Sequence, residues 1–577
     1  MLGSTRRRTL SRRCSTLQAR MTALEKAREE LRRNDRQWEA FTSPGHCVVL
    51  APPGSGKTKL LTTRLAEDLL TKIPHPHGAA CITLTNAAAD ELERRLRSLG
   101  VPRRSTLFVG TVHSFALSRI IAPYARVAGR PELADAAIAT DQQRDACYTQ
   151  ALADVYGPNE DTRYLRSTMD RRRKLMTDDD TWERVGPKVP ELVERYEAIL
   201  RRRGLIDFDD IVKYAVELVE QHEFVRRTLV ARFSNLYVDE YQDLAPGLDR
   251  LVRSLCFDYV ANADLFAVGD PDQAIYGWTG SRPELLDELA ALPGVKPVRL
   301  ELNYRCGEEI IRFSKLALGV ERTVEAVRAG GSVEAHECSD GFEAQCREAA
   351  RLANAAREAG SPLEQMGVLC LKNDDCAEAA RIFRDAGVPV FVRGSEYPVT
   401  PVTLLVEAFA AWAALPRGTS GQGLGDLLRR WRALMGGQRV LAADAALVAA
   451  LLDFCDREGE EANEFVARLD DVGLGRALRG RARGDEANAL ADMKTALTSG
   501  PLRDMTVRDL AERARALGRV YITTMTSSKG LEFDIVFMIG LEEGRLPFWT
   551  SRGPQLAEDR RKFYVSLTRA RQAVHLF

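Results

Sequence analysis

Short apolar runs bounded by turn residues recur along the first half of the chain. Most are rich in Val, Leu, Ile or Phe: CVVLA, AACITLT, LFVGT, NLYVDE, DLFAVGD and PVRLEL. Runs of this kind are typical of parallel strands that are buried on both faces of a sheet. Helical patterns lie between several of them, so the sequence predicts the α/β class.

A second set of apolar runs follows later: MGVLCL, VPVFVR, RVYITTM, DIVFMIG and AVHLF. Residues 116–204 and 413–515 contain no convincing strand and show charged amphipathic helical patterns instead. We therefore predict two α/β domains with parallel sheets, each carrying a mainly helical insertion. The predicted bounds are 21–115 with 205–305 for the first domain, 116–204 for its insertion, 306–412 with 516–577 for the second domain and 413–515 for its insertion.

Composition restricts the partners only weakly. The 577 residues include 82 Lys and Arg and 82 Asp and Glu, so the net charge gives no support for a nucleic-acid partner. The 11 cysteines are scattered without a CxxC pair, which predicts reduced thiols and no structural metal cluster. No apolar run reaches the roughly 18 residues that span a bilayer, so we expect no membrane association and a cytoplasmic protein of the bacterial cytosol or nucleoid.

The first 20 residues hold six arginines and several serines, and no acidic residue precedes Glu25. An organellar targeting peptide has this composition. A disordered basic tail, or a start codon assigned too early with Met21 opening the first helix, explains it as well. We favour the tail.

The segment CVVLAPPGSGKTKLL predicts a strand, a phosphate-binding loop and a helix. Gly54, Ser55 and Gly56 allow backbone N–H groups to surround phosphates at the start of the helix. Lys57 supplies a positive charge to the β- and γ-phosphates, and the Thr58 hydroxyl is a ligand for Mg²⁺. The loop begins with Ala51 where the usual pattern has glycine, and a chance glycine-rich turn is the alternative.

Two adjacent carboxylates end the apolar run NLYVDE. Asp239 is suited to hold Mg²⁺ through water, and Glu240 to accept a proton from the attacking water. A solvated strand end is the alternative for such a pair. Gln273, which follows the end of another predicted strand, is placed to sense the γ-phosphate.

The same loop continues to two aromatic residues, Tyr276 and Trp278, on either side of Gly277. Core packing is the usual role of such residues. A glycine between them favours a turn, however. We therefore predict that the two ends of this loop contact two different ligands, one of which is the γ-phosphate.

Taken in order, the motifs resemble those of superfamily 1 helicases of the UvrD/Rep/PcrA type, from Asn34 to the C-terminus. The matching segments are NDRQWEAF, APPGSGKT, TLTNAAADEL, GTVHSF, VDEYQD, GDPDQAIYGW, LELNYRC, TMTSSKGLEF and DRRKFYVSLTRA. The resemblance implies two RecA-like P-loop NTPase domains with helical insertions 1B and 2B. It also implies ATP and Mg²⁺ as cofactors and single-stranded DNA or a 3′-tailed duplex as the partner.

The resemblance also assigns roles to individual residues. Arg305 and Arg569 would be arginine fingers, and Gln37 would read adenine. Tyr304 would stack on adenine and Glu532 would contact the ribose. The residues that would contact DNA are Thr85, Asn86, His113, Tyr276, Trp278 and Ser527.

Several positions depart from the family pattern. Lys59 stands where an arginine often stacks on adenine, and lysine stacks less well. On the DNA side, Leu84 replaces an aromatic residue, Ala87 a lysine, Thr279 an arginine and Thr526 a histidine. The segment 413–515 is a reduced 2B insertion, in which RALRGRARG is either a phosphate-contacting stretch or a solvated helix face. No nuclease domain is expected after the last motif.

The motif set predicts an ATP hydrolase that translocates 3′ to 5′ on single-stranded DNA and unwinds duplex in repair, replication restart or recombination. The alternative is a nucleic-acid-sensing ATPase subunit that regulates a partner nuclease in an antiphage system, because the ATP site is intact while the DNA track is reduced. The candidate protein partners are a repair protein or, under the alternative function, a nuclease. A catalytically inactive scaffold is disfavoured because the ATP-site residues are all present.

Overall fold

The computed structural model describes residues 23–157, 163–176, 186, 188–259, 262–277, 280–319, 322–392, 396–416, 423–435, 440–478, 484–500 and 502–577. The predicted basic tail, Trp278 and Thr279 and most of RALRGRARG lie outside these residues. The chain divides into two compact units. The first comprises the residues up to Ala329 with Gly553–Tyr564, and the second comprises Gly330–Arg552 with Val565–Phe577. The bounds that we predict for the two domains and their insertions remain a prediction.

The first unit contains one large sheet and two short strand pairs. Its strands are β1 Cys47–Leu50, β2 Gly78–Thr83, β3 Leu107–Thr111, β4 Ala137–Ile138, β5 Leu205–Ile206, β6 Phe233–Val238, β7 Asp264–Gly269, β8 Lys296–Arg299, β9 Leu302–Gly307 and β10 Glu325–Arg328. The six-stranded sheet has the order β3-β2-β6-β7-β1-β8, and every neighbouring pair is parallel. All six apolar runs predicted as strands lie in this sheet, which confirms the α/β prediction.

The two short strand pairs were not predicted from the pattern of apolar residues. Strand β4 lies within 116–204, where we predicted no strand, and it pairs with β5 over two residues. A two-residue strand leaves no periodic signal, so this prediction was wrong for a physical reason. Strand β9 pairs with β10, because the run PVRLEL leaves the large sheet after Arg299 and continues beside β10.

Helices cover both faces of the first sheet and form most of the segment between β4 and β5. They are Asp35–Thr42, Lys57–Glu67, Asn86–Ser98, Val112–Phe115, Ala122–Tyr124, Pro131–Ala134, Asp141–Val155, Arg163–Leu175, Val189–Arg202, Phe208–Gln221, Glu223–Arg232, Pro246–Cys256, Glu284–Ala290 and Glu308–Leu318. Two π-helical turns, Asp68–Lys72 and Ala116–Ile121, extend helices, and residues 241–243 and 271–273 form single 3₁₀ turns.

Burial explains why the first sheet forms from near-continuous apolar runs. Val48 and Leu50 of β1 point into one hydrophobic cluster, whereas Cys47 and Val49 point into a cluster on the opposite face. Because alternate side chains of a strand point to opposite faces, a strand covered on both sides must be apolar throughout. The carboxyl ends of all six parallel strands meet at one edge of the sheet.

The second unit contains a second parallel sheet. Its strands are β11 Ser332–Ala335, β12 Met366–Cys370, β13 Val390–Val392, β14 Val520–Thr524, β15 Phe533–Met538 and β16 Ala570–Leu576. The order is β11-β16-β15-β12-β14-β13. Five of these strands were predicted. The edge strand β11 was missed because its sequence, SVEA, is short and half-exposed.

The helices after β11 are Gly341–Glu358, Asn373–Asp385, Pro401–Ala414, Leu424–Met435, Val440–Asp453, Ala462–Asp471, Leu474–Ala477, Gly484–Thr498, Val507–Arg515 and Gly553–Leu567. The helices from Pro401 to Arg515 share a core that includes Phe409, Trp431 and Phe465, in agreement with the helical pattern of 413–515. Within the described ranges, no helix combines the length and apolar character that crossing a membrane requires.

Candidate functional site

The loop between β1 and the helix Lys57–Glu67 has the conformation that its glycines allow. Gly54 and Gly56 have φ values of +69° and +84°, which side chains with a Cβ rarely adopt. A Cβ on Gly54 would lie 2.7 Å from the Cβ of Arg305 and 2.9 Å from Nδ2 of Asn303. The glycine is therefore required both by its backbone conformation and by the close approach of the segment after β8.

Side chains from other elements hold the loop through its carbonyl groups. Asn303 donates from Nδ2 to the carbonyl of Pro53 at 2.6 Å, and Gln37 donates from Nε2 to the carbonyl of Ser55 at 2.7 Å. The backbone N–H of Tyr304 donates to the carbonyl of Gly54 at 2.8 Å. With the carbonyl groups bound from outside, the N–H groups at the helix start are left to face a phosphate.

Lys57 lies at the first position of the helix and is 8% exposed. Its Nζ is 3.7 Å from Oε2 of Glu240 and has no hydrogen-bond partner among the described residues. A buried ammonium group without hydrogen bonds is costly unless a ligand supplies acceptors. Phosphate oxygens at this position would supply them, so the side chain fits the predicted role.

The two predicted acids follow β6, the strand two places from β1 in the sheet. Asp239 is buried, and its pKa is raised to about 7, chiefly by burial and then by the neighbouring Glu240, while Lys57 opposes the rise. A cation bound there would favour the charged carboxylate. Glu240 has a left-handed backbone with φ of 53°, which is strained for a residue other than glycine and is found at functional sites.

Gln242 connects the acids to the next strand. Its Nε2 donates to Oε2 of Glu240 at 2.6 Å, and its Oε1 accepts from the backbone N–H of Asp270 at 2.9 Å. The side chain is fully buried. We did not assign Gln242 a role from the sequence, although it lies inside the segment VDEYQD.

The loop after β7 is fixed by an arginine that no sequence signal indicated. Asp270 is fully buried and accepts from Nε2 of Gln273 at 2.8 Å. Arg322 donates to the same carboxylate at 2.7 Å and lies 3.0 Å from Asp272. Its guanidinium also donates to the hydroxyl of Tyr564 at 3.1 Å. Arg322 therefore orients the predicted γ-phosphate sensor through Asp270.

The residues predicted to bind adenine cluster beside the loop. Asn34 caps the helix Asp35–Thr42 through the N–H groups of Arg36 and Gln37, and its Nδ2 donates to the hydroxyl of Tyr304 at 2.9 Å. Tyr304 is 38% exposed, so it is not enclosed in the core. Lys59, which also stands in this part of the predicted nucleotide site, is ion-paired with Glu30.

The two predicted arginine fingers lie in different units. Arg305 is in β9, next to Tyr304 and against Gly54. Arg569 is in the second unit, where its side chain is 2% exposed and its Nε donates to the carbonyl of Val565 at 2.8 Å. Glu532 is also in the second unit and pairs with Arg571 at 3.1 Å. The roles of Arg569 and Glu532 at the nucleotide remain predictions.

The candidate DNA-binding residues of the first unit follow the carboxyl ends of three strands. Thr85 caps the helix after β2 through the N–H of Ala88, and Asn86 begins that helix. His113 is in the helical turn after β3, and its ring packs edge-on against Phe208. Tyr276, half-buried, is in the loop after β7. The parallel sheet therefore brings these residues to the edge that carries the phosphate loop.

Lys174 is a basic residue beside this group that the motifs did not identify. Burial lowers the pKa of His113, and the charge of Lys174 lowers it further, which places Lys174 near that ring. A Cβ on Gly280 would lie 3.3 Å from the Cβ of Lys174. Lys174 thus adds a positive charge beside Gly280 and near His113.

In the second unit, Ser527 is exposed, and its hydroxyl accepts from Thr524 Oγ1 at 2.9 Å. Thr526 lies next to it and is half-buried. Trp278 is outside the described residues, so its predicted contact with DNA stays a prediction.

Comparison with known proteins identifies the family. Residues 33–292 match the model of the UvrD/REP helicase N-terminal domain, and residues 483–577 match that of the UvrD-like helicase C-terminal domain. The ATP-dependent DNA helicase UvrD2 of Mycobacterium tuberculosis (strain ATCC 25618 / H37Rv) is 28% identical over 94% of this chain and 78% of its own length.

Two further relatives come from Escherichia coli (strain K12). ATP-dependent DNA helicase Rep is 27% identical over 92% of this chain and 88% of its own length. DNA helicase II is 25% identical over 94% of this chain and 84% of its own length. The two family models together cover well over half of the sequence and occur in the order expected, so the chain belongs to the UvrD/Rep family of helicases.

Proposed function

We propose that the chain is an ATP-dependent DNA helicase that moves 3′ to 5′ on single-stranded DNA and separates duplex, in repair, replication restart or recombination. The observation that carries the proposal is the Lys57 ammonium group, which is buried next to Glu240 without a hydrogen-bond partner in the described residues. The direction of movement and the role in repair rest on family membership. The relatives named above give no support to a nuclease-regulating role.

The phosphate chemistry follows from the positions of the side chains. Lys57 and the N–H groups from Gly54 to Thr58 bind the β- and γ-phosphates, and Glu240 accepts the proton of the attacking water. The strained backbone of Glu240 and its bond from Gln242 fix the direction of the carboxylate. Arg305, which lies against Gly54 of the loop, is the candidate to neutralise charge on the transferring phosphoryl group, an effect worth about 10³–10⁵ in rate in comparable enzymes. The family resemblance assigns the same role to Arg569.

Mg²⁺ fits the donor set at the start of the helix. The Thr58 hydroxyl and the buried Asp239 carboxylate are hard oxygen ligands of the kind that this cation prefers. When bound, Mg²⁺ neutralises negative charge on the phosphates. Asp239 then stays ionised despite its burial, because a cation offsets the desolvation that raises its pKa.

The loop after β7 supports coupling between hydrolysis and DNA. Gln273 is three residues before Tyr276 in the same loop. Asp270 anchors the start through Arg322, and Arg561 donates from Nε to the carbonyl of Ala274 at 2.8 Å. A displacement at Gln273 on loss of γ-phosphate therefore moves the aromatic end. Base stacking on that end contributes about 1–3 kcal/mol per base and tolerates any sequence.

Steady-state ATP hydrolysis with and without a poly-dT oligonucleotide, at low and moderate salt, tests the proposal. We expect strong stimulation by the oligonucleotide in the wild type and no turnover in Glu240→Gln, which keeps the fold and size of the side chain. Displacement of a labelled strand from 3′-tailed but not 5′-tailed duplex tests direction. Equal hydrolysis with and without DNA would exclude coupling between hydrolysis and DNA binding. Displacement on 5′-tailed duplex alone would show movement from 5′ to 3′ and contradict the proposed direction.

A further inference from the structure

Three potential metal ligands from distant parts of the sequence meet in the second sheet. Glu334 lies in the edge strand β11, and His336 follows that strand directly. His575 lies in β16, where the parallel register places it opposite Glu334. Because residues two apart in an extended chain share one face, the three side chains point to the same side of the sheet. Their ligand atoms all lie within 4.8 Å of one another.

The distances between these atoms fit a shared cation. Nε2 of His336 and Nδ1 of His575 are 3.0 Å apart, and Nδ1 of His575 is 3.8 Å from Oε2 of Glu334. Ligands bound at about 2.0–2.1 Å in a tetrahedral site are separated by roughly 3.4 Å. The two observed separations lie on either side of that value, so small side-chain rotations are sufficient to admit the cation.

Aromatic packing restricts the movement of both imidazole rings. The His575 ring stacks on Phe537 with a centroid separation of 5.1 Å and an interplanar angle of 14°. The His336 ring stacks on Phe577 at 4.8 Å and 16°. Phe537 is fully buried, and the backbone N–H of His336 donates to the carbonyl of Leu576 at 2.8 Å. Ligands held in advance by packing lose little conformational entropy when a metal binds.

We propose that Glu334, His336 and His575 bind one divalent transition-metal cation, of which Zn²⁺ is the representative. Two imidazoles and a carboxylate are a ligand set that such cations accept, with water in the remaining position. The Glu334 side chain is 54% exposed, so the solvent side of the site is open to water. The expectation of no metal cluster was drawn from cysteine spacing and did not consider these residues.

The bound cation would tie β11 to the last strand of the chain. Strand β16 begins at Ala570, immediately after the predicted arginine finger Arg569, and β11 is its neighbour at the sheet edge. A cation that bridges the two strands would stabilise this edge of the sheet, and a ligand that binds only the folded state raises the free energy of unfolding. The site shares no residue with the predicted ATP site.

Zn²⁺ titration of the full chain, freed of metal with a chelator, tests the proposal. Isothermal titration calorimetry is performed with excess Mg²⁺ to occupy the predicted nucleotide-site ligands, and Co²⁺ absorption reports the coordination. We expect one equivalent of Zn²⁺ in the wild type, affinity weakened by about tenfold or more in Glu334→Gln, and no such site in His336→Gln. His222→Gln is the matched control and should bind like the wild type.

Thermal unfolding distinguishes a loss of Zn²⁺ binding from a loss of folding. Zn²⁺ should raise the Tm of the wild type and of His222→Gln but not that of His336→Gln, and circular dichroism confirms that each variant is folded. Glu334→Gln changes an exposed side chain and serves if His336→Gln does not fold. Zn²⁺ binding that is unchanged in both variants, or no Zn²⁺ binding by the wild type, would overturn the proposal and leave a hydrogen-bonded histidine pair.

Discussion

The side chain of Gln242 joins Glu240 to the loop that carries Gln273. One end of its amide donates to the Glu240 carboxylate at 2.6 Å, and the other accepts from the backbone N–H of Asp270 at 2.9 Å. The bond to Asp270 is buried and the bond to Glu240 is partly buried; a buried group that loses its partner costs about 1–3 kcal/mol. The proposed base and the proposed γ-phosphate sensor are therefore aligned by a single residue between them.

Replacing this residue should slow hydrolysis more than it weakens nucleotide binding. In Gln242→Ala the Glu240 carboxylate loses its donor and the Asp270 N–H loses its acceptor, so we expect kcat to fall by about tenfold to a hundredfold with little change in KM for ATP. Steady-state kinetics at saturating poly-dT measure both parameters.

Gln345→Ala is the matched control. Gln345 bridges the same kinds of partner in the second unit, donating to Glu542 at 2.7 Å and accepting from the N–H of Gly540 at 2.9 Å. Its replacement should lower thermal stability by a similar amount and leave kcat close to that of the wild type. Equal losses of kcat in the two variants would show that Gln242 acts through general stability.

A methyl group on Gly54 should disable the phosphate loop. The added Cβ would meet the Cβ of Arg305 at 2.7 Å and Asn303 at 2.9 Å, and neither neighbour is the free end of a flexible chain. We expect Gly54→Ala to weaken ATP binding by about tenfold or more, because the loop must shift to relieve the contact. Fluorescent nucleotide titration measures the affinity.

Gly45→Ala separates the clash from the backbone strain. Gly45 has a φ of +63°, close to the +69° of Gly54, but a Cβ there meets nothing within 4 Å. Its replacement should cost about 1 kcal/mol of unfolding free energy and leave ATP affinity unchanged. A comparable loss of affinity in both variants would mean that left-handed strain, and not the approach of Arg305, decides the effect.

Replacing an aromatic residue of the loop after β7 should weaken the stimulation of hydrolysis by DNA and leave basal hydrolysis intact. Tyr276→Ala and Trp278→Ala each remove one stacking surface worth about 1–3 kcal/mol per base. The concentration of poly-dT needed for half-maximal stimulation should therefore rise by roughly fivefold to a hundredfold. Tyr259→Ala is the control, since Tyr259 is 98% exposed in the same unit. Unchanged stimulation in a variant would assign that residue to packing.

Lys174 should contribute one phosphate contact to the DNA track. It lies against Gly280 and close to His113, so Lys174→Ala should weaken binding of single-stranded DNA and reduce the dependence of log K on log salt by about 0.7. Fluorescence anisotropy over a series of salt concentrations measures the slope. Lys188→Ala removes the same charge from an exposed position and should leave the slope unchanged; an equal change in both would indicate a non-local effect of net charge.

Most of the large sheets could be predicted because a strand buried on both faces must be apolar throughout, and Cys47–Leu50 shows this in its own sequence. The phosphate loop could also be predicted, because glycines at this spacing between a strand and a helix are specific for phosphate binding. Short strand pairs, such as Ala137–Ile138 with Leu205–Ile206, could not be predicted, because a strand of two residues has no periodic pattern.

What the sequence determined by itself was the set of local chemistries: Lys57 after a glycine-rich loop, acids after an apolar strand, and aromatics after Gln273. Tertiary structure alone decided which residues hold them in place. Arg322 reaches Asp270, and Glu334 lies opposite His575, because strand order and register bring together residues far apart in the chain. A local pattern encodes the conformation of its own segment, whereas these contacts depend on how separate segments pack.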